Sequence, residues 1–294
     1  MQPLALQHGI AMTFTGSSRI HRALVLKPQA SGGEGQLVAD YGPQRFTADW
    51  NNRSHRGKRL LAEFLGVAGL MVILSGVAGI LARFAGAHVP PYQLVAIAAL
   101  TSGVYLVAAI YFLGDISAHF DPVVTLAFGV RRDMSWGMVV LYWIAQFAGA
   151  ACGSLLIRSL VGHGNKLAST LPPPHMHLQA VIFEAVLTFG LVLLVLSMAN
   201  GPKLNGPFIP IAVGLWVLAA SMMGGTFEGA SMNPARSFGP ALATHHFANY
   251  WIYVVGPVLG ALAAVVVTRI FRGAASAKEA AFALGAPGGP DAPE

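Results

Sequence analysis

Asn233-Pro234-Ala235-Arg236 lies inside a long apolar stretch of this sequence, and Asp121-Pro122-Val123 lies inside another. Backbone at the depth of a membrane must be hydrogen-bonded, buried in protein, or line a water-filled cavity. Asn and Asp are favoured at a helix N-cap, and Pro is favoured at the first helical position, here Pro234 and Pro122. Each triplet therefore predicts a short helix that begins near the middle of a membrane. Two such half-helices indicate a path for something polar.

The composition is that of an integral membrane protein. Of the 294 residues, 55% are hydrophobic and 10% are charged, whereas a soluble domain carries about 25% charged residues. The formal net charge is +6, but the basic residues flank apolar runs instead of forming a patch, which argues against a nucleic-acid partner. The single cysteine, Cys152, excludes an intramolecular disulfide, and no Cys/His cluster has the spacing of a metal site.

Six apolar runs are near or above the length that crosses a lipid bilayer. They lie at about 60–82, 92–113, 136–160, 178–199, 208–225 and 251–271. The fifth run is short and contains Gly214, so its limits are the least defined. The two interrupted segments, at about 117–129 and 229–243, follow the second and fifth runs. The sequence therefore predicts an all-α integral membrane fold with six transmembrane helices and two half-helices.

The two halves of the chain resemble each other. Glu63 is followed six residues later by Gly69, and Glu184 is followed at the same distance by Gly190. The third and sixth runs share a triplet and a glycine pair, which we match as Tyr142-Trp143-Ile144 with Tyr250-Trp251-Ile252, and Gly149 and Gly153 with Gly256 and Gly260. With three spans in each half, the second half must be inverted. An inverted repeat with interrupted helices indicates a site at the midplane.

The distribution of Lys and Arg predicts the orientation. Most of those that flank the spans fall on one side, which places both termini in the cytoplasm of a plasma or inner membrane. We expect a largely disordered cytoplasmic tail at 1–58, a membrane domain at 59–272, and a second cytoplasmic tail at 273–294. The repeats lie at about 59–162 and 176–272. The half-helices then enter from opposite faces, and their N-termini can meet.

The interrupted segments carry a family resemblance. The second signature of the aquaporin (major intrinsic protein) family is similar to Gly229-Ala230-Ser231-Met232-Asn233-Pro234-Ala235-Arg236-Ser237-Phe238-Gly239-Pro240, and the first resembles Gly114-Asp115-Ile116-Ser117-Ala118-His119-Phe120-Asp121-Pro122-Val123-Val124-Thr125. The resemblance covers about residues 58–272. It implies two re-entrant half-helices in an inverted repeat, a homotetramer in the lipid bilayer, and passive conduction of water or small uncharged solutes such as glycerol or urea.

The first segment departs from the family pattern. It has Asp121-Pro122-Val123 where the family usually has Asn-Pro-Ala. Its Ser117-Ala118-His119 is one residue shorter than the usual Ser-Gly-Ala-His. These differences put the usual selectivity in doubt, but not the fold.

Arg236 and Asn233 are the main candidate pore residues. A charge at membrane depth is costly and functional by default. The resemblance implies that Arg236 lines the narrowest part of the pore, donates hydrogen bonds to permeants and repels cations. The alternative is a structural arginine paired with a carboxylate. The amide of Asn233 can donate to a passing water or hydroxyl, and the residue can cap its helix as well.

Asp121 is the unusual residue, because an ionised carboxylate only accepts hydrogen bonds. It could line the pore as an anion, be kept protonated by desolvation, or turn away from the lumen. Glu63 and Glu184 could relay protons, but the resemblance implies that they brace the re-entrant loops by accepting from backbone N–H groups. His119 either lines the cytoplasmic vestibule or caps local backbone.

The remaining filter residues are placed by counting from the two signatures. The count gives Ser102 in the second span, with Thr101 as the alternative one residue away, Ser221 in the fifth span, and Ala230 in the outer loop. Strict water channels of the family have an aromatic residue and a histidine at the first two places. Small residues there imply a wider constriction.

The sequence thus predicts a passive channel for water and small uncharged solutes, with cations excluded by Arg236. We expect no catalysis, no cofactor and no metal. Two alternatives remain open at this point. Asp121 could make the channel leaky to ions or protons, or the chain could be a non-conducting structural membrane protein.

Overall fold

The computed structural model describes residues 53–85, 89–199 and 208–273, all within one compact unit that spans 43–294. These ranges contain eight helices and no strand. The helices are α1 (Arg53–Phe84), α2 (Pro91–Leu113), α3 (Pro122–Arg131), α4 (Trp136–Val161), α5 (His177–Ala199), α6 (Phe208–Gly224), α7 (Pro234–Thr244) and α8 (Ile252–Arg272). Most of the two predicted tails, residues 1–52 and 274–294, lies outside the described residues. Helix α1 begins at Arg53, inside the last residues of the predicted N-terminal tail.

Five helices in the described part of the chain are long and apolar enough to cross a membrane: α1, α2, α4, α5 and α8. The sixth, α6, has 17 described residues and is about 26 Å long, slightly less than a bilayer core. Large apolar side chains such as Ile144, Leu215 and Ile270 are exposed on the outer surface. Such a surface suits lipid, and the predicted all-α membrane fold is confirmed.

The two half-helices α3 and α7 begin where the Asx-Pro signals predict. Asp121 and Asn233 are extended N-caps, with φ of −152° and −148°, and each is followed by Pro at the first helical position. Both helices end at a residue in the left-handed region, Arg132 and His245. They have 10 and 11 residues, so each is about 15–17 Å long and covers only half of a bilayer.

The helices pack as two equivalent halves. The packing of α1 on α4 is repeated by α5 on α8, and each half-helix lies against the last helix of the other half, α3 on α8 and α7 on α4. Between the halves, α2 packs on α6. This exchange of half-helices places the N-termini of α3 and α7 together in the centre of the protein.

A reciprocal glycine contact marks the pseudo-twofold axis. A Cβ at Gly103 would lie 2.8 Å from the carbonyl oxygen of Gly214, and a Cβ at Gly214 would lie 2.6 Å from the carbonyl oxygen of Gly103. Each residue therefore contacts its own counterpart, as expected at a twofold axis. Only glycine permits this approach of the two backbones, and the fifth-span Gly214 is a packing residue.

The glycine match made from the sequence is one helical turn out of register. A Cβ at Gly149 would collide with the carbonyl of Phe64 in α1, and a Cβ at Gly260 would collide with the carbonyl of Ala185 in α5. Gly260 is therefore the counterpart of Gly149, and the match of Gly149 with Gly256 is wrong. The glycines of each pair are four residues apart, about one helical turn, so the letters alone fit two registers.

Candidate channel site

The N-termini of the two half-helices are joined directly. The side-chain Nδ2 of Asn233 donates a hydrogen bond of 2.7 Å to the backbone carbonyl of Phe120, the residue before Asp121. Each helix N-terminus carries roughly half a positive charge. The side chains of Asp121 and Asn233 are both more than nine-tenths buried, with 4% and 8% exposed. The arrangement is a compact polar site between two apolar half-helices.

Asp121 caps its own half-helix with one oxygen only. Its Oδ1 accepts a hydrogen bond of 2.8 Å from the backbone N–H of Val123. Its Oδ2 is buried and makes no hydrogen bond to the described residues. The equivalent oxygen of Asn233 accepts from the backbone N–H of Arg236 at 3.0 Å. Both N-caps thus accept one backbone N–H of the first turn, from the second helical residue in α3 and from the third in α7. Their second groups differ, a carboxyl oxygen in Asp121 and an amide donor in Asn233.

The inner re-entrant loop is held by Glu63, which is fully buried. Its carboxylate accepts from the backbone N–H groups of His119 at 2.8 Å and Phe120 at 2.7 Å. It also accepts from the hydroxyl of Ser117 at 2.6 Å and from Nε2 of Gln146 at 2.8 Å. Phe120 has φ of +52°, so this turn is strained. The four hydrogen bonds to the Glu63 carboxylate hold this strained turn in place.

The outer loop is held in the same way by Glu184, also fully buried. Its two oxygens accept from the backbone N–H groups of Ser231 at 2.5 Å and Met232 at 2.7 Å. Met232 has φ of +55°, as Phe120 does in the inner loop. Both glutamates make the contacts that a bracing role needs, since unpaired backbone N–H groups at this depth would be costly.

A second outer carboxyl, Glu228, was not singled out from the sequence. It is 1% exposed, and its Oε1 accepts from the backbone N–H of Ala230 at 2.8 Å. Its Oε2 is buried and makes no hydrogen bond to the described residues. The sequence shows only an acidic residue between the fifth span and the second half-helix. Acidic residues are also common in solvent-exposed loops, so this position alone does not indicate a buried carboxyl.

Arg236 lies in the first turn of α7 and is held by two backbone carbonyls. Its Nη1 donates to Ala168 at 3.0 Å and its Nη2 donates to Gly229 at 3.2 Å. The side chain is only half-buried. Both of these hydrogen bonds go to neutral backbone carbonyls and neither goes to a carboxylate. The guanidinium is thus fixed in position without losing its charge to a partner.

His119 is positioned by its ring as well as by its backbone. Its Nδ1 lies 3.0 Å from Oγ1 of Thr125, and the ring stacks on Phe128 at 4.7 Å and on Tyr142 at 5.2 Å. The ring nitrogen thus contacts a side-chain hydroxyl, and both predicted roles of His119 stay predictions. Its half-buried side chain lies on the cytoplasmic side of Asp121 in the predicted orientation.

In α2, Ser102 is better placed for the interior than Thr101. Successive helical residues are rotated by about 100°. Gly103 contacts α6, and the hydroxyl of Tyr105 donates to a carbonyl of α1 at 3.0 Å. Around the helix axis, Ser102 lies in the narrower arc between the directions of Gly103 and Tyr105, and it is 4% exposed. Thr101 lies outside that arc and is half-buried. Of the two counted positions, the helix geometry favours Ser102.

Ser221 lies near Ala230 at the outer end of α6. A Cβ at Gly224 would be 3.2 Å from the Cβ of Ala230, which brings the end of α6 against the outer loop. Ser221 is one turn earlier, on a face about 60° away. It is half-buried, and Ala230 is buried. The two small side chains counted from the sequence therefore come from neighbouring parts of the fold.

Comparisons with known proteins agree with this architecture. The family described as "Major intrinsic protein" matches residues 50–268. Aquaporin NIP2-1 of Oryza sativa subsp. japonica is 35% identical over 71% of this chain and 68% of its own, and aquaporin TIP2-1 of Zea mays is 38% identical over 74% and 88%. The X-ray structure of the aquaglyceroporin from Plasmodium falciparum has a TM-score of 0.61 at 20% identity, covering 72% of this chain and 95% of that one.

The fold and the site define a multi-pass membrane channel built from an inverted repeat with two half-helices. The chain belongs to the major intrinsic protein family, and it is a membrane channel for water and small solutes. The resemblance found in the sequence is confirmed. Neither the ion-leaky nor the non-conducting alternative is favoured by these relatives.

Proposed function

We propose that this channel passively conducts water together with small uncharged solutes of the size of glycerol or urea, and that it excludes cations. The observation that carries the proposal is the junction of α3 and α7 through Asn233 and Phe120, close to the fixed guanidinium of Arg236. Polar groups converge there inside a protein whose spanning helices expose large apolar side chains. A solute that forms hydrogen bonds can cross such a site without a full hydration shell.

Exclusion of cations follows from the fixed charges. Arg236 carries a positive charge because a guanidinium stays protonated in proteins, and its hydrogen bonds to two carbonyls hold it beside the site. The N-termini of α3 and α7 add positive potential from both sides. A cation would lose its hydration shell next to these charges, whereas a neutral solute is not repelled and accepts hydrogen bonds from the guanidinium. We assign the main cation barrier to Arg236.

The width of the filter is the second part of the proposal. Ser102, Ser221 and Ala230 are all small, and the structure supports interior positions for Ser102 and Ser221 by their helix faces. Without an aromatic ring or an imidazole at these positions, the constriction has room for a solute larger than water. His119 and Asp121 complete the set of proposed pore residues on the inner side.

The setting of the channel is also a proposal. We expect it in a plasma or inner membrane with both termini in the cytoplasm, as the flanking Lys and Arg residues favour. We expect a homotetramer by analogy with the family, and no catalytic activity, because the buried carboxyl groups of Glu63 and Glu184 are occupied by loop backbone.

Stopped-flow light scattering on purified proteoliposomes tests this function. Water, glycerol and urea are applied in turn to vesicles with and without the protein. Faster volume changes with all three than in empty vesicles support a wide neutral-solute channel. Faster water flux alone would show that the filter is narrow, and no acceleration with any of them would contradict the proposed conduction.

A further inference from the structure

Glu228 distinguishes the outer re-entrant loop from the inner one. It stands five residues before the N-cap Asn233, and Ile116 stands five residues before the N-cap Asp121. The inner loop therefore has one bracing carboxyl, Glu63, and the outer loop has two. A buried carboxyl at membrane depth is expensive, so its presence calls for a reason.

The two outer carboxyls hold three consecutive backbone N–H groups. Glu184 accepts from Ser231 and Met232, and Glu228 accepts from Ala230. The backbone here is strained, because Ala230 and Met232 have φ of +44° and +55° without being glycine. Such conformations persist only where the surroundings hold them. Glu228 holds the first of the three.

The Ala230 N–H belongs to the same peptide unit as the carbonyl that binds Arg236. A peptide unit is planar, and in the trans form its N–H and C=O point in opposite directions. Glu228 accepts from the N–H side of the Gly229–Ala230 peptide at 2.8 Å, and Gly229 accepts from Nη2 of Arg236 on the carbonyl side at 3.2 Å. The orientation set at one end of this peptide therefore fixes the direction of the other end.

Glu228 is itself anchored at its backbone. Its carbonyl accepts from the hydroxyl of Tyr253 at 2.8 Å and from the N–H of Leu171 at 3.2 Å. Its Oε2 is buried and makes no hydrogen bond to the described residues, so the residue is held through Oε1 and through its backbone carbonyl. It can therefore act as a support for the peptide.

We propose that Glu228 is a positioning residue for selectivity: it orients the Gly229–Ala230 peptide so that the Gly229 carbonyl holds the guanidinium of Arg236 in the outer constriction. This inference rests on the proposed function, because it assigns the control of the same filter. Glu228 acts through Arg236 and does not itself contact the permeant. Without it the peptide can rotate, Arg236 loses one of its two carbonyl partners, and the filter becomes wider and less selective.

Two substitutions separate orientation from charge. Glu228→Gln keeps an oxygen for the Ala230 N–H at the same side-chain length, so it should retain the wild-type glycerol-to-water permeability ratio and cation leak. Glu228→Leu removes the acceptor at similar size. It should change the ratio and raise the cation leak by about threefold to tenfold, the effect of losing one hydrogen bond. If Glu228→Leu does not reach the membrane, Glu228→Asp takes its place, because its shorter side chain cannot reach the same N–H.

The permeability changes caused by substitutions of Glu228 must also depend on Arg236. In an Arg236→Val background, Glu228→Leu or Glu228→Asp should change neither the ratio nor the leak further. An equal change in both backgrounds, or wild-type behaviour of Glu228→Leu and Glu228→Asp alone, would overturn the inference. If the proposed function itself is wrong, wild-type proteoliposomes will change volume no faster than empty vesicles. In that case cryo-electron microscopy maps of wild type and Glu228→Leu test the inference by the position of the Arg236 guanidinium. An unmoved guanidinium would overturn the inference.

Discussion

The side-chain amide of Asn233 donates a hydrogen bond of 2.7 Å to the backbone carbonyl of Phe120. This bond connects residues that are 113 positions apart and belong to opposite halves of the repeat. An amide nitrogen has two N–H groups, so one joins the half-helices and the second is the group that we propose as a donor to permeants.

Replacing Arg236 by Val should raise the leak of protons and cations, while the flux of neutral solutes persists. The physical reason is that the guanidinium is a fixed positive charge held beside the site by the carbonyls of Ala168 and Gly229. Currents in voltage-clamped oocytes and glycerol uptake in the same cells measure the two effects. Arg236→Lys, which keeps a charge without the two-carbonyl geometry, is the control and should leak less than Arg236→Val. An unchanged leak in Arg236→Val would refute the assignment of the barrier.

Replacing Ser221 by His should abolish the glycerol and urea flux and leave water flux measurable. A histidine one turn from Gly224, near Ala230, narrows the space that small residues leave open. Stopped-flow permeabilities for the three permeants give the result. Ser221→Ala is the matched control and should retain glycerol flux, because it leaves the width unchanged. If Ser221→His still passes glycerol at the wild-type rate, Ser221 does not face the constriction.

Replacing Asp121 by Asn should leave the fold intact, tighten proton exclusion, and preserve or raise neutral-solute flux. The capping oxygen on the Val123 N–H is kept, and the second carboxylate oxygen, which has no partner among the described residues, becomes a donor. The local charge then rises from about neutral to positive, since each half-helix start contributes roughly half a charge. Proton flux into dye-loaded proteoliposomes measures the change, and Asp115→Asn, at an exposed carboxylate, is the control.

The same residue should make the wild-type proton leak depend on pH. Acidification that protonates Asp121 removes a negative charge from the site, so the leak should fall as the pH is lowered. Asp121→Asn should show no such dependence. A flat profile in wild type, with leaks equal to those of Asp121→Asn, would mean that Asp121 only caps α3 and faces away from the lumen.

Replacing Gly214 by Ala should destabilise the protein by about 1–3 kcal/mol, the usual cost of overpacking. The added Cβ would collide with Val107 and lie 2.6 Å from the Gly103 carbonyl. Thermal unfolding in detergent measures the effect. Gly137→Ala is the control, because a Cβ at Gly137 meets nothing within 4 Å, and it should be neutral or slightly stabilising. Equal melting temperatures for the two variants would contradict the close approach of α2 and α6.

Much of the fold could be predicted from the sequence because the decisive signals are local. An Asx residue before Pro inside an apolar run sets the start of a half-helix, and both starts, at Pro122 and Pro234, were predicted from it. The length of the apolar runs likewise fixed six spans. The register of the third and sixth spans was missed by one turn because glycines repeat at a helical period. Contacts with α1 and α5 decide the register, and those depend on packing.

The site could be predicted only in part. Glu63 and Glu184 are visible as carboxylates inside apolar runs, but the role of Glu228 depends on the path of a loop with three residues at positive φ. A sequence does not show that the N–H of Ala230 bonds to Glu228 while the carbonyl of Gly229, in the same peptide unit, accepts from Arg236. The contact of the His119 ring with Thr125 was likewise not accessible, because it depends on side-chain orientation across the first turn of α3.

The most direct test of the central claim measures glycerol uptake and sodium current in the same oocytes expressing the wild-type chain. The account predicts glycerol uptake clearly above that of water-injected oocytes, together with a sodium current no larger than theirs, because the filter is wide and Arg236 holds a fixed positive charge in it. A sodium current above that of the control cells, or glycerol uptake equal to theirs, would contradict the account.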